Sequence, residues 1–252
     1  MFSLFRKKIE FYSLVPGLEK ISPVDVASSY RPLWTKKASQ AYKQHSEQIP
    51  NRRVTTILKC PGVMQLFTLG YIVYNHCDIS ISGDGHRLKW DYLYEPSKEW
   101  GDRIDFNYVD CHESNLLSDY MDPPIGANKT LLKLNTPWRV KAPKDIIFLE
   151  LPIFYGDEKR FVSAGGVLDP LQTNQINPAF WWYANDNTLQ IIKAGTPLLQ
   201  YIPIKRNLYN ELIVREATDK EITKEKTFSM FNRLSFLTDV KRRDTISKNI
   251  LK

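Results

Sequence analysis

Cysteine is scarce in this 252-residue chain, and its three copies, Cys60, Cys77 and Cys111, lie far apart with no CxxC pair. That excludes a disulfide scaffold and suits a reducing compartment such as the cytoplasm, or a particle assembled there. No run approaches the roughly 18 uninterrupted apolar residues of a membrane span. The opening Met1-Phe-Ser-Leu-Phe-Arg-Lys-Lys8 sets its charge after its apolar residues, the reverse of a secretory signal. Glycine is sparse, at 11 residues, and the Gly165-Gly166 pair stands alone. Neither a phosphate-cradling loop nor a dinucleotide fingerprint is present. There is no Gly-x-Ser-x-Gly elbow and no cysteine with a placed histidine, so nucleophilic catalysis finds no support.

What the chain does have is 42% apolar residues, 12% aromatics and a formal charge of +7. This composition belongs to a folded globular protein rather than a disordered one. The charge is unevenly spread. Residues 1–60 hold 11 Lys+Arg against 4 Asp+Glu, residues 61–205 hold 13 against 17, and residues 206–252 hold 11 against 7. A mildly acidic body is therefore flanked by two basic ends. Such ends suit an acidic partner first and nucleic acid second.

Three regions follow from the pattern. Residues 1–53 read as an irregular arm punctuated by Pro16, Pro23, Pro32 and Pro50, with a short helix from Thr35 to Gln48. Residues 54–206 read as a body of short β-branched and aromatic segments separated by polar turns: Val54–Leu58, Leu66–Tyr74, Asp78–Ile81, Arg87–Tyr92, Lys129–Leu134, Trp138–Lys141, Ile146–Leu151, Phe161–Val167, Ala179–Ala184, Leu189–Ile192 and Leu198–Ile204. No helical crossovers separate them. The fold class is mainly β: a sandwich, roll or double-stranded β-helix-like body. Within it, 95–128 reads as a surface insertion. Gly195-Thr-Pro should form a tight turn, and Pro203 requires its strand to end there or lie at an edge. Residues 207–252 read as helical. Thr218-Asp-Lys-Glu221 is a capping box, and Phe228, Phe231, Leu234, Leu237 and Val240 form an apolar stripe behind it.

Two constellations could carry chemistry or contacts. His76 and Asp78, two apart on a strand, would share a face, and with His112 they would make a two-His-one-carboxylate triad for Fe(II). Arg139 or Arg160 would then hold a co-substrate carboxylate. Trp181-Trp182-Tyr183 alternates across a strand, so one tryptophan must be exposed or covered, which suits a contact with a protein partner or a second copy of the chain.

Two stretches carry a resemblance. Asn135-Thr-Pro-Trp-Arg-Val-Lys-Ala-Pro-Lys144 and Ala164-Gly-Gly-Val-Leu-Asp-Pro170, with Ile192–Arg206 downstream, resemble an uncharacterised family of tailed phages and bacteria. The resemblance implies a phage protein of the host cytoplasm or the virion, structural or accessory rather than enzymatic. Gly166-Val-Leu-Asp169 and Lys193-Ala-Gly-Thr-Pro-Leu-Leu-Gln200 are also similar to trimeric dUTPases. That likeness implies that Asp169 and Gln200 sit at a nucleotide. The chain departs from the pattern after Asp169, where Pro170-Leu-Gln replaces Tyr-Arg-Gly. The Arg-Ser-Gly segment and Gly-rich lid of that family are not found.

Overall fold

The computed structural model describes residues 8–48, 57–92, 107–112, 117, 119–206 and 212–225. The chain divides into two compact units, one of Met1–Gln44 with Thr56–Asn207 and one of His45–Thr55 with Leu208–Lys252.

The first unit is mainly β, and every strand pairing in it is antiparallel, as the absence of crossover helices requires. The expected arm supplies β1 (Glu10–Ser13), α1 (Leu18–Ile21), β2 (Asp25–Val26) and α2 (Leu33–Gln48). A short α3 (Pro61–Leu66) opens with its proline in the first turn, where a missing N–H costs nothing. Then come β3 (Tyr71–Tyr74), β4 (Ile79–Gly83), β5 (Leu88–Tyr92), β6 (Val109–His112), β7 (Leu131–Leu134), β8 (Trp138–Lys141) and β9 (Ile146–Leu151). The series ends with β10 (Phe161–Ser163), β11 (Gly166–Leu168), β12 (Ala179–Trp182), β13 (Gln190–Ile192) and β14 (Pro197–Lys205).

Four sheets result, ordered β11-β9-β14-β3-β2, β10-β12-β7-β6, β13-β4-β5 and β1-β8. Their inner faces close on one apolar core that includes Val73, Ile79, Leu132, Phe148, Trp182 and Tyr201, consistent with a sandwich. Strand β8 shows the governing pattern: Trp138 and Val140 are buried while Arg139 and Lys141 face out.

Four expectations change. The arm is not merely irregular. Strand β1 pairs with β8, β2 pairs with β3, and Val15 and Leu18 are in the core. The segment Leu66–Tyr74 is not one strand, because α3 precedes it and Gly70, at φ +71, turns the chain into β3. A Cβ at Gly70 would come 2.1 Å from the Tyr201 carbonyl oxygen, so this close approach admits only glycine. The expected surface insertion contains β6, which extends the β7 sheet. Ile57–Lys59, at the end of the first expected strand, is a single 3-10 turn, and residues 54–56 lie outside those described.

Other expectations hold. Gly195 has φ +82. Strand β14 has β3 and β9 on its two sides at Gln200 and Tyr201, but among the described residues only β9 from Ile202 onward, so Pro203 interrupts no ladder described on its other side.

In the second unit, a helix at 219–225 begins with the expected capping box. The Thr218 N–H donates to Glu221 Oε2 at 2.8 Å, and the Glu221 N–H donates to Thr218 Oγ1 at 3.4 Å. Arg215 clasps the same carboxylate at 2.7 Å, and these partners hold the Glu221 carboxyl well below its usual range. The stripe from Phe228 to Val240 lies outside the described residues. Among the described residues no helix is long and apolar enough to cross a membrane.

Candidate functional site

The expected iron triad is not assembled. Residues 75–78 link β3 to β4 without being a strand, so the two-residue alternation that would align His76 with Asp78 does not operate. The Asp78 carboxylate accepts from Lys193 Nζ at 2.6 Å and from the Ala194 N–H at 2.8 Å, tying down the turn before β14. The His76 imidazole nitrogens are buried, and the ring packs against Tyr108 at 4.1 Å between centroids. Burial lowers its pKa to about 4. His112 is exposed on the edge strand β6. Among the described residues no three His, Cys, Asp or Glu side chains gather around a point where a metal ion could sit.

The loop's hub is Asn75, which sequence reasoning passed over. Its Nδ2 donates to the carbonyls of Cys77, Ile192 and Lys193, at 2.5, 3.2 and 3.2 Å, while its Oδ1 accepts from the Tyr108 hydroxyl at 2.7 Å. Cys77, beside it, is buried, and burial pushes its thiol up to about 12, which leaves it unreactive.

Asp169 and Gln200 both serve the frame. Arg206 grips both oxygens of Asp169, and the Leu171 N–H adds a bond at 2.9 Å. The Arg206 guanidinium holds the Asp169 carboxyl down at about 2. Buried Gln200 donates to the carbonyls of Leu66 and Leu69, at 2.8 and 2.5 Å, fixing the turn out of α3. On their shared neighbour β9, Gln200 stands opposite Leu151 and Leu168 opposite Phe148. Continued one residue past Leu168, that register sets Asp169 level with Ile147, four residues of strand or roughly 13 Å along β9 from Leu151, and β11 and β14 lie on opposite sides of β9. They do not converge on one ligand.

Trp181 and Trp182 also correct the expectation. Strand β12 lies between β10 and β7, and both tryptophans are buried, at 6% and 0% exposure. The Trp182 Nε1–H donates to the Ala184 carbonyl at 2.8 Å. Opposite-face alternation is present, but both faces are covered within the chain. Tyr183 is half-buried, with its N–H on the Arg160 carbonyl at 2.8 Å.

The site these elements do form is a cleft of about 250 Å³. Tyr30, the 152–159 loop, β10 and the start of β14 enclose it. Pro152 ends the β9 ladder, and Tyr155 is held at φ +58, a conformation costly for a non-glycine residue. The arm secures this loop. The Trp34 Nε1–H donates to the Tyr155 carbonyl at 2.7 Å, and the Leu33 N–H donates to Asp157 Oδ2 at 2.8 Å. On the far side Glu158 accepts from Arg160 Nη2 at 2.7 Å and from the N–H groups of Lys159 and Arg160, at 2.9 and 2.8 Å. Burial works to raise the Glu158 carboxyl, but these donors hold it below its usual range. Burial raises the Tyr30 phenol, with the nearby Asp157 charge adding to it.

The result is a seat with an apolar, aromatic rim. Phe154, Tyr155 and Val162 are 45%, 47% and 44% exposed. The one hydroxyl on β10, Ser163 Oγ, is spent on the Leu198 carbonyl. Tyr30, Glu158 and Lys159 line the cleft beside this rim. The signal for it in the sequence was the apolar triplet Ile153-Phe-Tyr155, set between Pro152 and Gly156 where a polar turn would be ordinary. No protein-family model matches the chain, and no curated protein matches it.

Proposed function

We propose that this is a phage-type structural or accessory protein that acts through protein contacts rather than by catalysis, and that the cleft beside Tyr155 is the surface it uses. The phage assignment rests on the two resembling stretches, Asn135–Lys144 and Ala164–Pro170 with Ile192–Arg206 downstream. The contact assignment rests on one observation: three large apolar side chains, Phe154 and Tyr155 on the fastened loop and Val162 on β10, stand exposed around one concavity. Monomeric proteins seldom present a rigid apolar rim without a partner for it. The partner named here is a second copy of the chain, the commonest arrangement in soluble assemblies.

Light scattering coupled to size exclusion tests this. The wild-type protein should elute as an oligomer, and Tyr155→Asp with Val162→Asp should return it to the monomer with an unchanged circular dichroism spectrum. A wild-type protein that stays monomeric at its highest soluble concentration would overturn the assignment.

A further inference from the structure

On the outer face of β8, away from the cleft, stands a cation without a counter-ion. Arg139 is partly buried, yet no carboxylate pairs with it among the described residues. Its Nη1 donates to the carbonyls of Thr136 and Trp138, both at 2.9 Å. Both bonds use Nη1, and among the described residues Nε and Nη2 donate to no protein acceptor. Burying part of a cation against neutral groups is unfavourable, and burial indeed lowers the Arg139 pKa.

The neighbours are also donors. Strand β1 sets Tyr12 directly opposite Arg139, and on the other side of β8 an isolated bridge sets Gln175 opposite it. One row of a sheet face therefore reads phenol, guanidinium, amide. Lys141 lies two residues along the same face, with its Nζ 4.9 Å from the centroid of the Tyr12 ring. The Asn174 amide donates to the Tyr12 hydroxyl at 3.1 Å, so the phenol accepts there and keeps its own O–H to donate. Among the described residues the one acid in these rows is Glu10, directly opposite Lys141, and Lys8 pairs with it at 3.4 Å.

We infer that the row Tyr12–Arg139–Gln175, with Lys141, is a binding site for a phosphate group. Arg139 and Lys141 supply two positive charges, which match a phosphate rather than a single carboxylate. A guanidinium held in plane by backbone carbonyls offers the paired donors that phosphate oxygens accept. The phosphate could belong to a small phosphoester or to a nucleic-acid backbone, and the site chemistry is the same for both. This inference stands apart from the cleft and from the protein-contact reading.

Calorimetry on the full chain tests it, with inorganic phosphate in one arm and a short single-stranded oligonucleotide in the other, at chloride-matched ionic strength. Phosphate should bind, and Arg139→Gln should weaken it by about tenfold. Lys141→Gln should weaken it about threefold, and Lys36→Gln, on α2, should leave it unchanged. Arg139→Gln also loses two structural bonds, so Lys141→Gln and Gln175→Glu, which keep them, carry the test if that variant unfolds. An oligonucleotide that binds more tightly than phosphate assigns the group to a nucleic acid, and equal or weaker binding assigns it to a small phosphoester. The site is overturned if the folded wild type binds neither, if Lys141→Gln and Gln175→Glu bind as the wild type does, or if a glutamate-rich peptide binds where phosphate does not.

Discussion

Asn75 holds four segments at one point: its own loop, the end of β13, the turn before β14 and the residue before β6. Its side chain is fully buried, so each partner it satisfies would otherwise be a polar group without water. Asn75→Ala should therefore cost about 3 kcal/mol, read from the shift in urea midpoint at constant slope. A loss under about 1 kcal/mol would show that the hub is dispensable. The adjacent His76 makes a separate prediction. Its folded pKa, about 4, lies below its usual value of 6.5, so the unfolded chain binds the proton first as pH falls. Stability should be independent of His76 above about pH 6.5 and decline between about 6.5 and 4, by on the order of 3 kcal/mol at full protonation. Asp78, two residues along, is held below its usual value by Lys193. His76→Phe, which preserves the ring contact, should flatten this slope in urea titrations at about pH 7 and about pH 5. A slope that persists in the variant would place the titration elsewhere.

At the scale of elements, the N-terminus of α2 is capped from a distance. The Leu33 N–H bonds to Asp157, whereas Thr35, the expected start of this helix, turns its hydroxyl to the Pro32 carbonyl at 2.7 Å inside the first turn. Asp157→Ala should cost about 1 kcal/mol and speed proteolysis near α2, without changing the strand content seen by circular dichroism. Unchanged cleavage would mean that the Trp34 bond to Tyr155 holds the helix alone. This element marks the boundary of what the sequence could convey. Strands β8 and β9 were legible to the residue, because Trp138–Lys141 and Ile146–Leu151 are β-rich runs bounded by turn residues. Gly195 and Pro203 were legible because each restricts the backbone locally. Strand β2, two residues long, was not, since its pairing with β3 is a tertiary event with no local period. Neither was β6, which polar sequence surrounds. The His76–Asp78 pairing failed for the same reason. A same-face argument requires a strand, and Asn75 bends the chain by contacts with residues more than 30 positions away.

At the scale of the molecule, the basic N-terminal sequence divides into more than a solvated tail. Phe11 packs against Tyr71 and Phe148, with ring centroids 5.0 and 6.1 Å away, and Val15 and Leu18 are 2% and 4% exposed. The charges Lys8, Glu10 and Lys141 flank this apolar insertion, so the segment joins the core with one face and presents ions with the other. A separable arm and an integrated one predict different outcomes for the chain lacking residues 1–20. An appended tail would leave the melting temperature nearly unchanged, because its removal would bury nothing less. The integrated segment removes Phe11, Val15 and Leu18 from the core, each contributing about 2 kcal/mol of burial. It also strips a strand from β8 and exposes the Val140 side of the sheet. Against a typical total stability of about 5–15 kcal/mol, a loss of roughly 6 kcal/mol should abolish or severely lower the cooperative thermal transition. Differential scanning calorimetry of the truncated and full chains decides between the two, and a transition within a few degrees of the full chain's would return the first twenty residues to the status of an arm.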